Sequence, residues 1–362
     1  MGQRSVAGTL LVAGALACGG EPDVAVIGHA FPSGGAASVA VARDEIATWS
    51  RGPTIEIVYD SVGTLDLADL EVERALRLVA VPGLVGVVGH GGSRASLAAA
   101  PVYNDAGIPH VVPTSTSRLL AHAGPWTFAL APDDSVEGVF IADFVADRLG
   151  ARRVLLFYVN DEYGQGLREG VRAELARRGL AVVDEMPVDP RSDFPTLVEA
   201  ALLHGAPDAV VVAARWEETG RIARYLAARV PEVPVVAGDG AMRLPALLQH
   251  AGPAISSICV ATFWLPGSPD SVSQAFAERF RRLNATEPTG PDAMTHDALL
   301  LMAHAVREVG PDRGAIARYL QALGRTRPAY RGVTGRITFL PDRAAGFVMA
   351  RFEGGRAVRV AP

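Results

Sequence analysis

Residues 87–117 read VVGHGGSRASLAAAPVYNDAGIPHVVPTSTS. The apolar run 85–88 has the β-branched character of a buried strand and stops at glycines. A helical stretch follows through Tyr103, and 109–112 is apolar and β-branched again. The segment closes on Pro113-Thr-Ser-Thr-Ser117, where five residues carry four hydroxyls. A strand, a Gly-rich turn, a helix and a second strand imply parallel pairing with helices on the sheet faces. The glycines of Gly89-His-Gly-Gly-Ser-Arg94 let the backbone approach a ligand, and free N–H groups at the helix start attract an anion. The same residues also describe a plain tight turn with a Ser cap.

The rhythm continues in both directions. Residues 24–27 and 54–59 read as strands, with a helix over 36–50 between them. A helix over 67–79 carries an apolar stripe of Val72, Leu76 and Val79, with Leu70, Arg74 and Arg77 opposite. Further on, 136–149 reads as a helix with Val139, Ile141, Phe144 and Val145. Strands are expected at 153–159, 181–183, 209–213 and 233–237. Helices are expected at 166–178, 193–204 and 217–230, the first with Leu167, Val171 and Leu175 on one face. The tail changes character. Helices at 271–283, 292–309 and 313–323 precede two alternating segments, 333–339 and 347–352, read as an antiparallel pair turned at Pro341-Asp342.

A chain of 362 residues, 49% hydrophobic and 20% charged, is globular and long enough for two domains. Its 34 basic residues are all Arg and face 39 acids, a net charge of −5. With no basic stripe, nucleic acid is not an expected partner. Without Lys there is no Schiff base, no Walker-type phosphate loop and no lysine general base. No G-x-S-x-G and no Cys or His cluster of metal-ligand spacing occurs, so neither an enzyme, a metal nor a cofactor is expected. The pattern Gly164-x-Gly166-x-x-x-Gly170 lies inside a helix and follows Asp161-Glu162, which would repel a pyrophosphate.

Residues 1–17 carry Arg4 and then an apolar run over 5–17. Thirteen residues span about 20 Å, short of the ~30 Å hydrocarbon core, so this is a signal-peptide pattern rather than a membrane span. Ala15-Leu-Ala-Cys18 resembles a bacterial lipobox. Cys18 is then the expected lipidation site, with 18–23 as a tether. Cys259, in an apolar run, is expected to be an inert buried thiol.

In order and spacing, several segments together carry a resemblance: VAVIGHAFPSG, IEIVYDS, the 87–117 block, VLLFYVNDEYGQGLREGVRAELARRG, DFPTLVEAL, VVVAARWEETGRIARYL, VVAGDG, THDALLLMAHAV and GVTGRITFLPDRAAGF. The chain resembles the class I periplasmic substrate-binding proteins, in the branched-chain amino-acid-binding group of ABC transporters. The resemblance implies an α/β fold of two doubly wound parallel-sheet lobes joined by three crossovers, with ligand in the cleft. One lobe is expected at 24–131 plus 262–331, the other at 132–261 plus 332–362. It implies that Gly92 and Ser93 receive a ligand carboxylate, that Thr114, Ser115 and Thr116 bond carboxylate and ammonium, that Tyr163 and Trp216 (or Arg215) face the cleft, and that Asp239 pairs with an ammonium. The first loop lacks the usual aromatic, so His29 and Phe31 are its candidates; Trp264 is either a cleft or a core aromatic. The implied role is an extracytoplasmic, lipid-anchored monomer that captures a small polar ligand, most simply an amino acid, and passes it to an ABC permease. A ligand-sensing subunit with an amide, urea or organic-acid ligand is the alternative.

Overall fold

The computed structural model describes residues 24–31, 35–60, 68–340 and 346–360. The signal sequence, Cys18 and its tether, and the Pro341-Asp342 turn lie outside the described residues.

Two sheets organise the chain. The first holds β1 (Val24–Ala30), β2 (Thr54–Asp60), β3 (Leu84–Gly89), β4 (His110–Val112) and β5 (Thr127–Ala129), all parallel, in the order β2-β1-β3-β4-β5. Helices α2 (Ala68–Val79) and α3 (Ser93–Asp105) pack together along it. Helix α1 (Gly35–Ile46) packs with α9 (Ser271–Asn284) and α10 (Gly290–Val309), and α10 is joined by α11 (Arg313–Ala322).

The second sheet has seven strands in the order β14-β13-β10-β9-β8-β6-β7. The strands β6 (Arg153–Val159), β7 (Ala181–Val188), β8 (Ala209–Ala213), β9 (Val235–Ala237) and β10 (Ile258–Thr262) run parallel. The tail adds β13 (Val348–Glu353) antiparallel to β10, and β14 (Arg356–Arg359) antiparallel to β13. Helices α4 (Asp134–Asp143) and α5 (Glu162–Arg177) form one packed pair; α6 (Phe194–Leu202), α7 (Trp216–Ala227) and α8 (Leu244–Ala251) pack in series. The chain passes between the sheets after β5, after β10, and between β12 (Gly335–Ile337) and β13.

Three readings change. The stripe expected on α2 is on the wrong face. Leu76 is 55% exposed, while Glu71, Arg74, Ala75 and Leu78 are buried. The reason is a polar cluster. Arg74 Nη1 donates to both Glu71 carboxylate oxygens at 2.6 and 2.5 Å, His90 Nδ1 lies 2.5 Å from Glu71 Oε2, and His90 Nε2 lies 2.9 Å from the Tyr103 hydroxyl. Burial pushes the Glu71 carboxyl up, but His90 and Arg74 more than reverse this and hold it below its usual value. On α4, likewise, Val136 and Val139 are exposed, whereas Asp134, Glu137 and Ile141 are buried. Finally, the strand at 347–352 does not pair with 333–339. The latter contributes β12, which pairs with β11 (Tyr330–Gly332), while β13 takes β10 and β14 as neighbours. Sequence patterning also passed over β5, α8 and β10, short elements with no full period to display.

Removing one partner of a buried ion pair leaves an uncompensated charge. Arg74→Ala is therefore expected to lower the unfolding free energy by about 3–5 kcal/mol, read by urea titration. The double change Arg74→Met with Glu71→Gln is expected to cost less. Equal losses would contradict an ionic pair at this position.

Candidate functional site

The site begins with glycines in the second lobe. A Cβ on Gly138 of α4 would lie 2.4 Å from the Gly170 carbonyl carbon of α5, and one on Gly166 would lie 2.2 Å from Asp134 Oδ2. Only hydrogen at these positions lets α4 and α5 meet so closely, and the contact turns Asp134 and Glu137 inward. Next to them β9 ends at Gly238, and Asp239 opens a 3-10 turn over Asp239–Ala241. The Asp239 amide donates to Glu137 Oε1 at 2.7 Å, and the Gly240 amide donates to the Tyr163 hydroxyl at 3.0 Å. A Cβ at Gly238 would come within 2.6 Å of that hydroxyl, so the turn needs Gly there. Tyr163 is placed by the α5 start, where Asp161 Oδ1 accepts from the Tyr163 and Gly164 amides.

The first lobe contributes hydroxyls. Ser93 begins α3 after Gly92, and Ser96 one turn on bonds Ser115 Oγ at 2.8 Å. Thr116 follows, and its carbonyl accepts from the Asp134 amide at 2.7 Å, at the first passage between lobes. Two ion pairs also cross between α3 or the segment after β4 and α5: Arg94 Nε to Glu162 Oε2 at 2.9 Å, and Arg118 Nη2 to Glu169 Oε2 at 3.2 Å.

What marks the site is unmet hydrogen-bonding capacity. Among the described residues, Ser93 Oγ, Thr116 Oγ1, both carboxyl oxygens of Asp134, Glu137 Oε2 and Asp239 Oδ1 are buried without a hydrogen-bond partner. Such groups cost about 1–3 kcal/mol each unless something satisfies them. Burial drives the Asp134 carboxyl up to about 8, against the pull of the neighbouring Thr116 hydroxyl. Burial, then the Asp239 charge, pushes Glu137 well above its ordinary range. Burial raises Asp239 to about 6, with Glu137 and Tyr163 holding it down. Burial thus favours the neutral form of all three acids. Hydroxyls stand on the first-lobe side, and the acids on the second.

Beside this cluster lies an open cleft of about 580 Å³, lined by Arg94, Asn160, Asp161, Asp189, Arg215, Trp216, Glu217 and Glu218 among others. Arg215 Nη2 donates to Asp161 Oδ2 at 2.7 Å. The Arg243 guanidinium lies 4.7 Å over the Trp216 ring. Both Arg215 and Trp216 thus line the opening.

The residues expected from sequence fall into groups. Thr116, Tyr163 and Asp239 meet around Asp134 and Glu137. Gly92, Ser93 and Ser115 sit together at the α3 start, where the Ser115 hydroxyl is already taken by Ser96. Thr114 is half-buried just beyond β4. Trp216 lies further along the cleft. His29 is fully buried and stacked with Phe31 and Tyr59 at 5.0 and 5.3 Å; burial pulls its pKa down to about 3. Trp264 is a core aromatic, its Nε1 donating to Ser273 Oγ at 2.9 Å. Cys259 is half-buried rather than buried, with its thiol pushed up by burial. Asp134 and Glu137 were missed. Their signal was two acids three residues apart beside Gly138, facing a helix with Gly166 and Gly170. Among the described residues no His, Cys, Asp and Glu group is placed to hold a metal, and no helix is long and apolar enough to cross a membrane.

The periplasmic binding protein family matches residues 26–352. The chain belongs to that family. It is a solute-binding protein of the type I periplasmic class. An amino acid binding protein of Pseudomonas aeruginosa is 27% identical over 245 residues, 67% of this chain and 65% of that protein. The Leu/Ile/Val-binding protein homolog 1 of Brucella abortus is 23% identical over 283 residues, 76% of this chain and 74% of the relative. A leucine-binding protein from Thermotoga maritima superposes with a TM-score of 0.83 at 23% identity, covering 93% of this chain and 98% of its own. A branched-chain amino acid transporter substrate-binding protein from Streptococcus pneumoniae, solved with isoleucine, gives the same score and identity over 93% and 100%. These likenesses establish two parallel-sheet lobes of the type I fold.

The raised carboxyls have a sign. A group whose folded pKa lies above its unfolded value of about 3.9 stabilises at low pH and loses that contribution as pH climbs through the folded value. Below pH 7 the histidines His29, His90, His110 and His304, all held below their usual value, work the other way. Their contribution is largely complete by pH 7, and above about pH 8 they are silent. The ligand-free protein is expected to lose stability there, with Asp134 contributing roughly 1 kcal/mol. Asp134→Asn is expected to flatten the slope in chemical denaturation; an unchanged slope would contradict the assignment.

Proposed function

We propose that the chain is an extracytoplasmic binding protein for an α-amino acid, lipid-anchored through Cys18, that delivers its ligand to an ABC permease. The reading rests on one observation: buried hydroxyls of Ser93 and Thr116, unpartnered among the described residues, stand on one side of the site, and the buried carboxyl group of Asp239 stands on the other. A zwitterion satisfies both. Its carboxylate takes the hydroxyls and free amides at the α3 start. Its ammonium takes Asp239, while protonated Asp134 and Glu137 add neutral hydrogen bonds without excess charge. Tyr163 walls the ammonium side. The lobes 24–131 plus 262–331 and 132–261 plus 332–362 close on the ligand as bodies, because the binding groups come from both. Trp216 and the adjoining cleft receive the side chain. Nothing in this scheme breaks or makes a bond.

The relatives' names make leucine, isoleucine and valine the first ligands to try. Titration calorimetry on the chain from residue 21 is expected to show one site per molecule. Asp239→Ala is expected to weaken binding by about 2–5 kcal/mol, because it leaves a buried ammonium unpaired. Undiminished affinity in that variant would remove Asp239 from the site.

A further inference from the structure

A second cavity lies away from the interlobe cleft and shares none of its lining. It holds about 660 Å³ on the outer side of the first lobe, within the size range of small-molecule sites. Helices α9 and α10, the end of α11, Glu45 of α1, and the segment from Arg327 to Val333 enclose it. Phe276 and His296 form buried walls, with ring centroids 4.8 Å apart, and Tyr330 faces them beside His304 at 5.3 Å.

The polar groups can be accounted for one by one. The Asp297 carboxylate is consumed by the Val333 amide at 2.7 Å and by the Thr334 amide and hydroxyl at 2.8 and 2.6 Å. Arg279 spans Asp44 and Glu45 at 2.9 and 2.7 Å. Arg331 is paired with Asp270 at the rim. Two groups are left. His296 is 4% exposed; its ring nitrogens face Glu45 and Asp297 oxygens at 3.4 and 3.9 Å, and among the described residues neither makes a hydrogen bond of good geometry. Arg327 lies 4.8 Å over the Tyr319 ring, and no carboxylate pairs with it among the described residues. With Arg279 held by Asp44 and Glu45 and Arg331 by Asp270, Arg327 is the cation of the lining that keeps no carboxylate partner among the described residues.

We infer that this cavity is a second ligand site, for a small organic anion whose carboxylate meets Arg327 and whose flat apolar body packs between Phe276, Val272 and Tyr330. His296 offers a ring nitrogen to a further polar atom of the same ligand. Burial pulls the His296 pKa down, but the Asp297 and Glu45 carboxylates more than compensate and hold it above its usual value.

Phenylacetate is the probe, with binding followed by NMR chemical-shift titration of the protein. Arg327 and Ala275 are both exposed, so Arg327→Glu and Ala275→Trp are expected to keep the fold, checked by an unchanged melting temperature. One saturable site is expected in the unmodified protein. Each variant should weaken it at least tenfold, by charge reversal and by filling, and leave amino-acid binding in the cleft unaltered. The cleft double variant Ser93→Ala with Thr116→Ala should bind phenylacetate as before. Three results would overturn the inference: no saturable binding to the unmodified protein, undiminished binding to both cavity variants, or loss of binding in the cleft variant alone.

Discussion

Three carboxyl groups, Asp134, Glu137 and Asp239, are taken out of water together in the second lobe, and the arrangement around them follows from that constraint. Like charges in a low dielectric cannot all ionise. All three carboxyls are therefore held above their ordinary range. The glycines at 138, 166 and 170 hold α4 against α5, and Gly238 lets the β9 turn approach Tyr163. Without those close approaches the acids would reach solvent and lose that shift. The first lobe meets the cluster with hydroxyls and helix-start amides, and the Thr116 carbonyl to Asp134 amide bond ties the two halves at the crossover.

Where a helix buries only apolar side chains, the sequence displays its inward face. Leu167, Val171 and Leu175 of α5 are expected to lie inward, and all three are fully buried. Where a helix buries polar groups, the same reasoning fails. On α2 the Glu71, Arg74, His90 and Tyr103 network turns Arg74 inward and leaves Leu76 in water. On α4 the acids go in and Val136 and Val139 stay out. In both, a tertiary polar network outweighs hydrophobic periodicity, and no local window contains all of its partners. The tail illustrates a related limit. Alternation correctly marks β13 as a strand, but its neighbour β10 lies about ninety residues earlier, beyond any hairpin signal.

The candidate site was legible to the extent that its proposed residues sit on loops at strand ends. Ser93, Thr116, Tyr163 and Asp239 each follow a strand, where an α/β sheet presents its ligand-binding groups. The resemblance supplied their roles, and composition alone did not. Asp134 and Glu137 stayed hidden because they lie within a helix, where acids usually face water. Their inward turn is set by glycines on a different helix.

The account depends on recognition of both ends of a zwitterion, and this can be tested by removing one end at a time. Affinities for leucine, 4-methylpentanoate and 3-methylbutylamine, measured by calorimetry on the same preparation, compare the whole ligand with versions lacking the ammonium or the carboxylate. Each deletion leaves a buried charge or donor set unmet, so both analogues should bind at least a hundredfold more weakly than leucine. Binding of 4-methylpentanoate as tight as that of leucine would contradict the role given to Asp239 and, with it, the amino-acid reading of the cleft.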